Sequence, residues 1–144
     1  MPKGLHFSRR DLCLMFPVLA ASSALADEKA PMPSKAFRFE DLTPHKSGAL
    51  VARPGFEGYT HDGYRIAMHE SILEAGGMPH PAHHHKHEEM FMLREGTLEV
   101  TISGKASQAG PGDVVFVASN EEHGVRNVGK TSAQYFVVEL GSDQ

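Results

Sequence analysis

At 144 residues, the chain has room for one compact core once a leader is removed. Its 14 Lys and Arg stand against 18 Asp and Glu, a net charge of −4 with neutral histidine. That balance offers no basic surface to a phosphate backbone and speaks against nucleic acid as a partner. A single cysteine, Cys13, leaves no intrachain disulfide to form.

Residues 1–26 read as an export signal. Ser8-Arg9-Arg10 precedes an apolar run over residues 12–21, and the segment closes on the small residues Ala24-Leu25-Ala26, an A-x-A cleavage pattern. The paired arginines point to the twin-arginine route, although Leu12, Cys13 and Leu14 replace the Phe-Leu-Lys of that signal. The run is shorter than the ~20 residues a spanning helix needs. A periplasmic or secreted protein with no membrane contact after cleavage is therefore expected. Removing the signal leaves 118 residues, with 11 basic side chains, 17 acidic ones and no thiol.

The polar, proline-bearing residues 27–35 read as a flexible tether, and residues 36–144 as one domain. Residues 36–39 alternate as an edge strand would. Glycines and Pro54 mark residues 48–63 as loops, with a short strand near 58–60. A longer strand is expected over 64–73, ending at Gly76-Gly77. Further strands follow over 79–85, 89–94, 97–102, 105–108, 113–117, 124–127 and 133–140. The turns Glu95-Gly96, Ser103-Gly104 and Gly110-Pro111-Gly112 separate them at the spacing of a sandwich or barrel. No stretch keeps a helical period. The expected fold class is all-β, a single-domain jelly-roll β-barrel.

The chemistry gathers in residues 76–96. Gly77, His83, His85, Glu89 and Gly96 follow the spacing Gly-x5-His-x-His-x3-Glu-x6-Gly. Imidazole and carboxylate are ligands that first-row divalent metals accept. On a strand, His83 and His85 project to one face, and after a short turn Glu89 can return to that face. A surface tract of histidines that binds metal loosely is the plainer alternative.

A second segment, residues 112–127, runs from an apolar strand through Ser119-Asn120-Glu121-Glu122 to His123 and Asn127. Together the two segments resemble the paired signatures of the cupin superfamily. The second signature there reads Gly-x5-Pro-x-Gly-x2-His-x3-Asn. Gly112, His123 and Asn127 match it, Ala118 stands where proline is usual, and Asn120 where glycine is usual. Asparagine tolerates the left-handed backbone that glycine would supply. The resemblance covers about half the chain and implies a cupin jelly roll with His83, His85, Glu89 and His123 as metal ligands.

Strand alternation sorts the remaining candidates. Phe91, Leu93 and Val125 share the inward face with the ligands and are expected to line a substrate pocket, with His69 as a polar neighbour and Asn127 on the same face as Val125. The rim falls to Met78 and Tyr64. His84 is expected to face outward and Glu88 to be solvated. His87 would orient the turn or contact Glu88, with a second weak metal site formed with His80 or His84 as its alternative. An apolar pocket of this kind favours an aromatic or weakly polar substrate.

The resemblance implies a metal-dependent enzyme acting on a small organic substrate, similar to quercetinase-like dioxygenases or to lyases and isomerases on the same fold. Fe(II) or Mn(II) is the favoured cofactor, with Zn, Ni, Cu and Co also open, and Glu89 doubles as a general base. The rival is a non-catalytic periplasmic protein that binds metal or a small ligand, because the sequence shows no second catalytic constellation. A homodimer is expected.

Overall fold

A computed structural model describes residues 30–141. The expected export signal and the first residues of the expected tether lie outside the described residues. Nine strands follow a 3-10 turn at Phe39–Asp41: β1 (His45–Ser47), β2 (Leu50–Tyr59), β3 (Arg65–Leu73), β4 (Glu88–Glu95), β5 (Leu98–Ile102), β6 (Lys105–Ala109), β7 (Val114–Val117), β8 (His123–Asn127) and β9 (Ala133–Leu140). They form a six-stranded antiparallel sheet in the order β1-β2-β3-β9-β4-β7 and a three-stranded one in the order β6-β5-β8. This is the all-β jelly roll expected from the strand spacing. No helix among the described residues is long and apolar enough to cross a membrane.

Alternation builds the core. Leu73, Phe91, Leu93, Val117, Ala133, Tyr135 and Val137 from the large sheet meet Leu98, Val100, Ala109 and Val125 from the small one, all buried. Two turns show why the sheets reverse where they do. Ser103 and Gly104 both take positive φ (48° and 77°), the geometry of the tight turns that suit twisted hairpins, and join β5 to β6. Gly96 sits at φ 87°, and a Cβ there would lie 2.6 Å from the Ala133 backbone, so β4 can turn into β5 only with glycine.

Three stretches depart from expectation. Residues 48–63, read as loops, contain the ten-residue strand β2, in which Pro54 and Gly55 fall at a bulge between the registers Pro54↔His69 and Phe56↔Met68. Gly55 is the residue left without a partner, and Pro54 stays opposite His69 at the edge of the irregularity, a position where strands accept proline. Residues 79–85, read as a strand, contain only the isolated bridge His83↔His123, because Pro79 and Pro81 bring no N–H to a ladder. Residues 36–39, read as an edge strand, lead instead into the 3-10 turn.

The end of the tether is also fixed. Pro31 bridges Tyr59 in parallel, and Met32 N–H donates to the Tyr59 carbonyl at 2.8 Å. The following segment packs on the outer face of the large sheet, where Phe37 meets Phe56 and the Arg53 guanidinium stacks on Phe39. Beneath it Arg53 pairs at 3.0 Å with Glu70, which is fully buried and also accepts from Gln134.

Candidate metal centre

Three backbone devices bring the motif residues together. The β-bridge between His83 and His123 is closed by N–H···O bonds of 3.0 and 2.8 Å in the two directions, which seats residue 83 beside the first residue of β8. Asn120 takes φ 61°, the left-handed turn expected where glycine is usual, and its N–H donates to the His85 carbonyl at 2.8 Å. Glu89 enters from β4, paired with Val117 on one side and Glu139 on the other. Replacing Asn120 by Val should cost about 1–2 kcal/mol in urea unfolding, since a β-branched residue is strained at positive φ, whereas glycine should be tolerated.

The imidazoles converge. One ring nitrogen each of His83, His85 and His123 lies within 4.8 Å of the others. Glu89 Oε2 is 3.2 Å from His123 Nε2, and Oε1 is 3.4 Å from His85 Nε2. Nδ1 of His85 is bonded to the His87 carbonyl at 2.8 Å, and Nδ1 of His123 to the Glu121 carbonyl at 2.9 Å. A carbonyl only accepts, so each Nδ1 carries a proton and each Nε2 is the atom turned to the cluster, the orientation that metal ligation through Nε2 requires. His85 Nε2, His123 Nε2 and His83 Nδ1 are buried with no hydrogen-bond partner among the described residues. Burial, reinforced by the neighbouring His80, His123 and His85 rings, holds His83 below the ordinary histidine value and keeps it neutral. Three inward nitrogen acceptors beside a carboxylate make a donor set compatible with a divalent metal ion.

The profile of the cupin domain family matches residues 69–139. The chain belongs to the cupin superfamily. Solved structures agree on the fold. The chain resembles an RmlC-like cupin from Shewanella frigidimarina NCIMB 400, with 20% identity, 77% of this chain and 95% of that one covered, and a TM-score of 0.63. It is similar to a predicted oxalate decarboxylase from Thermotoga maritima, with 20% identity, 75% and 100% coverage, and a TM-score of 0.62. It also resembles the polyketide cyclase RemF from Streptomyces resistomycificus, with 19% identity, 75% and 80% coverage, and a TM-score of 0.60. None of the curated proteins compared matches it in sequence.

This cupin has a cavity of about 320 Å³ beside the cluster, lined by the expected Phe91, Val125 and His69. Leu93, expected there, lies instead in the core at 4% exposure, because its row of the sheet is covered by the smaller sheet. Asn127 is likewise withdrawn from the cavity and fully buried among backbone groups. Met78 and Tyr64 are exposed and do not line the cavity. His84 faces out, as expected.

His87 differs from expectation. Its ring stacks on His85 with centroids 3.6 Å apart and planes 6° off parallel, and its Nε2 lies 3.5 Å from Glu89 Oε1. Its Nε2 therefore reaches Glu89. The Nε2 atoms of His85 and His87 both approach Glu89 Oε1, so His85, His87 and Glu89 form a second group of metal-capable donors that shares His85 with the first.

The cavity is also more polar than the sequence suggested. Ser71, Tyr135 and Glu139 line it with His69. Burial pushes Tyr135 up to about 12, against a smaller opposing effect of its hydrogen bond with Ser71, so it stays a neutral phenol able to donate. The signal for these residues was present in the alternation of β9 and β3. Tyr135 and Glu139 share the parity of buried Val137, and Ser71 that of His69.

Proposed function

We propose that this cupin is a divalent-metal-dependent enzyme acting on a small, hydroxylated organic substrate. His83, His85, Glu89 and His123 hold the ion, with Fe(II) or Mn(II) favoured. The observation that carries this reading is the set of three buried, unpartnered ring nitrogens at one end of a cavity that holds further polar side chains. An ion bound there supplies Lewis-acid polarisation of a substrate oxygen.

The protein's own groups do the rest. Phe91, Val125, Val137 and Leu50 give the cavity apolar walls that displace water. Ser71 and Tyr135 offer hydrogen bonds to substrate hydroxyls, and the carbonyl bonds to Nδ1 keep two ligand rings in register. A purely metal-storing protein has no use for that polar wall, which favours a small-molecule site over metal storage. Dioxygenase-like and proton-transfer reactions both fit such a centre, since fold alone does not choose the reaction.

The same reading includes export with cleavage after Ala26. A protein folded before export takes its ion where copper and zinc are scarce, which lets weaker-binding iron or manganese stay. Protein recovered from the periplasm of its native host should begin at Asp27 and carry iron or manganese by elemental analysis. Finding copper or zinc with neither would overturn the metal assignment. Metal-replete protein that turned over none of a panel of flavonols, diketones and hydroxy-carbonyl compounds would leave only the binding role.

A further inference from the structure

A chain of charges on the inner face of the large sheet is not used by the metal ligands. Glu139 on β9 pairs directly with Glu89 on β4, so two carboxylates project side by side into the cavity. Directly opposite residues of an antiparallel pair bring their Cβ atoms within roughly 5 Å, where like charges repel. Glu89 is surrounded by imidazoles. Glu139 is answered differently: its Oε2 accepts from Arg65 Nη1 at 2.9 Å, and Arg65 Nε donates in turn to Glu57 at 2.8 Å.

The second oxygen of Glu139 faces His69. Oε1 lies 3.9 Å from His69 Nδ1, long for a hydrogen bond but close enough to favour the proton on that nitrogen. Such contacts tighten when substrate fills a site. With Nδ1 toward Glu139, Nε2 lies on the other side of a ring that lines the cavity. Burial holds His69 below the ordinary histidine value and outweighs the opposite pull of Glu139 and Glu89. Around it stand Glu139 and Tyr135 from β9, Glu89 from β4 and the imidazoles of His80, His83, His85 and His87. Arg65 from its own strand and Glu57 from β2 act on it through Glu139.

We propose that His69 is the proton-transfer residue of this centre, with Glu139 and Arg65 as positioning residues, and that the substrate is a small neutral hydroxy-carbonyl compound. The inference rests on the metal-enzyme reading and names its chemistry. No Lys or Arg lines the cavity among the described residues, so apart from the ion nothing there neutralises an anionic substrate. Ser71, Tyr135 and Glu139 instead offer partners to hydroxyls. In the step itself the C–H bond next to the carbonyl breaks and its proton passes to His69 Nε2. The C–H pair becomes a carbon–carbon double bond and the carbonyl π pair moves onto its oxygen as an enolate. Return of the proton to the same carbon restores the substrate. Once the substrate's hydroxyl proton has passed to the enolate oxygen, its return to the neighbouring carbon gives the isomeric hydroxy-carbonyl compound, and no oxidant or reductant is consumed. Glu89, already committed to holding the ion, is relieved of the base role assigned to it from sequence.

The test uses Mn(II)-loaded protein and hydroxyacetone in D2O, with deuterium uptake read by mass spectrometry. Wild type should exchange above the buffer rate. His69→Asn should lose at least ~100-fold, the usual weight of a positioned base. Glu139→Gln should lose about tenfold, and both variants should keep Co(II) affinity within about threefold of wild type, which also reports that they fold. Side-chain nitrogen NMR of the metal-free protein should find His69 with its proton on Nδ1, shifting toward Nε2 in Glu139→Gln. Exchange by His69→Asn at the wild-type rate would overturn the proposal. So would a wild-type His69 protonated on Nε2, or wild type that binds Co(II) yet exchanges nothing. Wild type that binds no Co(II) at all would instead overturn the metal-centre reading beneath it.

Discussion

Glu89→Gln should stabilise the metal-free protein and remove most of the stability gained from metal. The two signs come from the same carboxylate. Without an ion, Glu89 sits opposite Glu139 across β4 and β9, both side chains largely buried at 13% and 20% exposure. Like charges at directly opposed positions cost about 0.2–1 kcal/mol, and the amide abolishes that repulsion while keeping the shape. With an ion held as proposed, Glu89 is the one carboxylate beside the three imidazoles of His83, His85 and His123. An ion held at a thousand times its Kd adds about 4 kcal/mol to wild type. For a domain of this size that corresponds to roughly 10–20 °C in Tm. Scanning calorimetry with and without Mn(II) reads both effects. A metal-free variant that melts below wild type, with an undiminished Mn(II) shift, would show that Glu89 neither opposes Glu139 nor holds the ion. Generic damage to the barrel would lower both melting points together, so the opposed signs identify the site.

The contrast between Glu89 and Glu139 also marks where sequence reasoning stops. Glu89 was legible because its spacing from His83 and His85 crosses one turn, and alternation then fixes its face. His123 needed the second signature, and Asn120 at φ 61° bears out the left-handed turn inferred for that segment. Glu139 lies fifty residues beyond Glu89 on a strand whose period says which face it takes but not which strand it joins. Only the register β9-β4 sets the two carboxylates together. The same limit hid Tyr135 and Ser71. Leu93 fails for a related reason: the inward face of β4 runs from the cavity into the core, and parity does not tell where one ends and the other begins.

Proline and glycine misled in opposite directions. In β2 they read as loop punctuation, yet the bulge at Pro54-Gly55 uses both, since a Cβ on Gly55 would lie 2.6 Å from the Met68 side chain. Residues 79–85 read as a strand, yet Pro79 and Pro81 prevent a ladder and leave only the His83 bridge. His87 shows the turn itself overriding alternation. Its ring is placed by stacking on His85, which no period of two anticipates.

Asn127→Ala should cost about 3 kcal/mol, a large fraction of the 5–15 kcal/mol that holds an ordinary domain. Asn127 shares the parity of His123 and Val125, and sequence alone placed it with them at the cavity. Instead its side chain is fully buried and spans three pieces of backbone. Nδ2 donates to the carbonyls of Leu73 and Thr131, both at 2.8 Å, and Oδ1 accepts from Gly129 N–H at 2.9 Å. Its backbone takes the next turn as well: Asn127 N–H donates to the Gly77 carbonyl at 2.9 Å, and Gly76 N–H to the Asn127 carbonyl at 3.0 Å. Alanine removes the whole amide and strands polar groups away from water at about 1–3 kcal/mol each, only partly relieved by relaxation. Aspartate should be no better, because its carboxylate would face the Leu73 and Thr131 carbonyls with no proton to offer. Urea denaturation should show the midpoint falling with an unchanged slope. A loss below about 1 kcal/mol would mean that water replaces the amide and that the clamp is dispensable. Both variants should also weaken Co(II) binding, though by less than removal of a ligand. Gly76 and Gly77 open the segment that delivers His83 and His85, so slack at Asn127 reaches the ligands through the backbone that carries them.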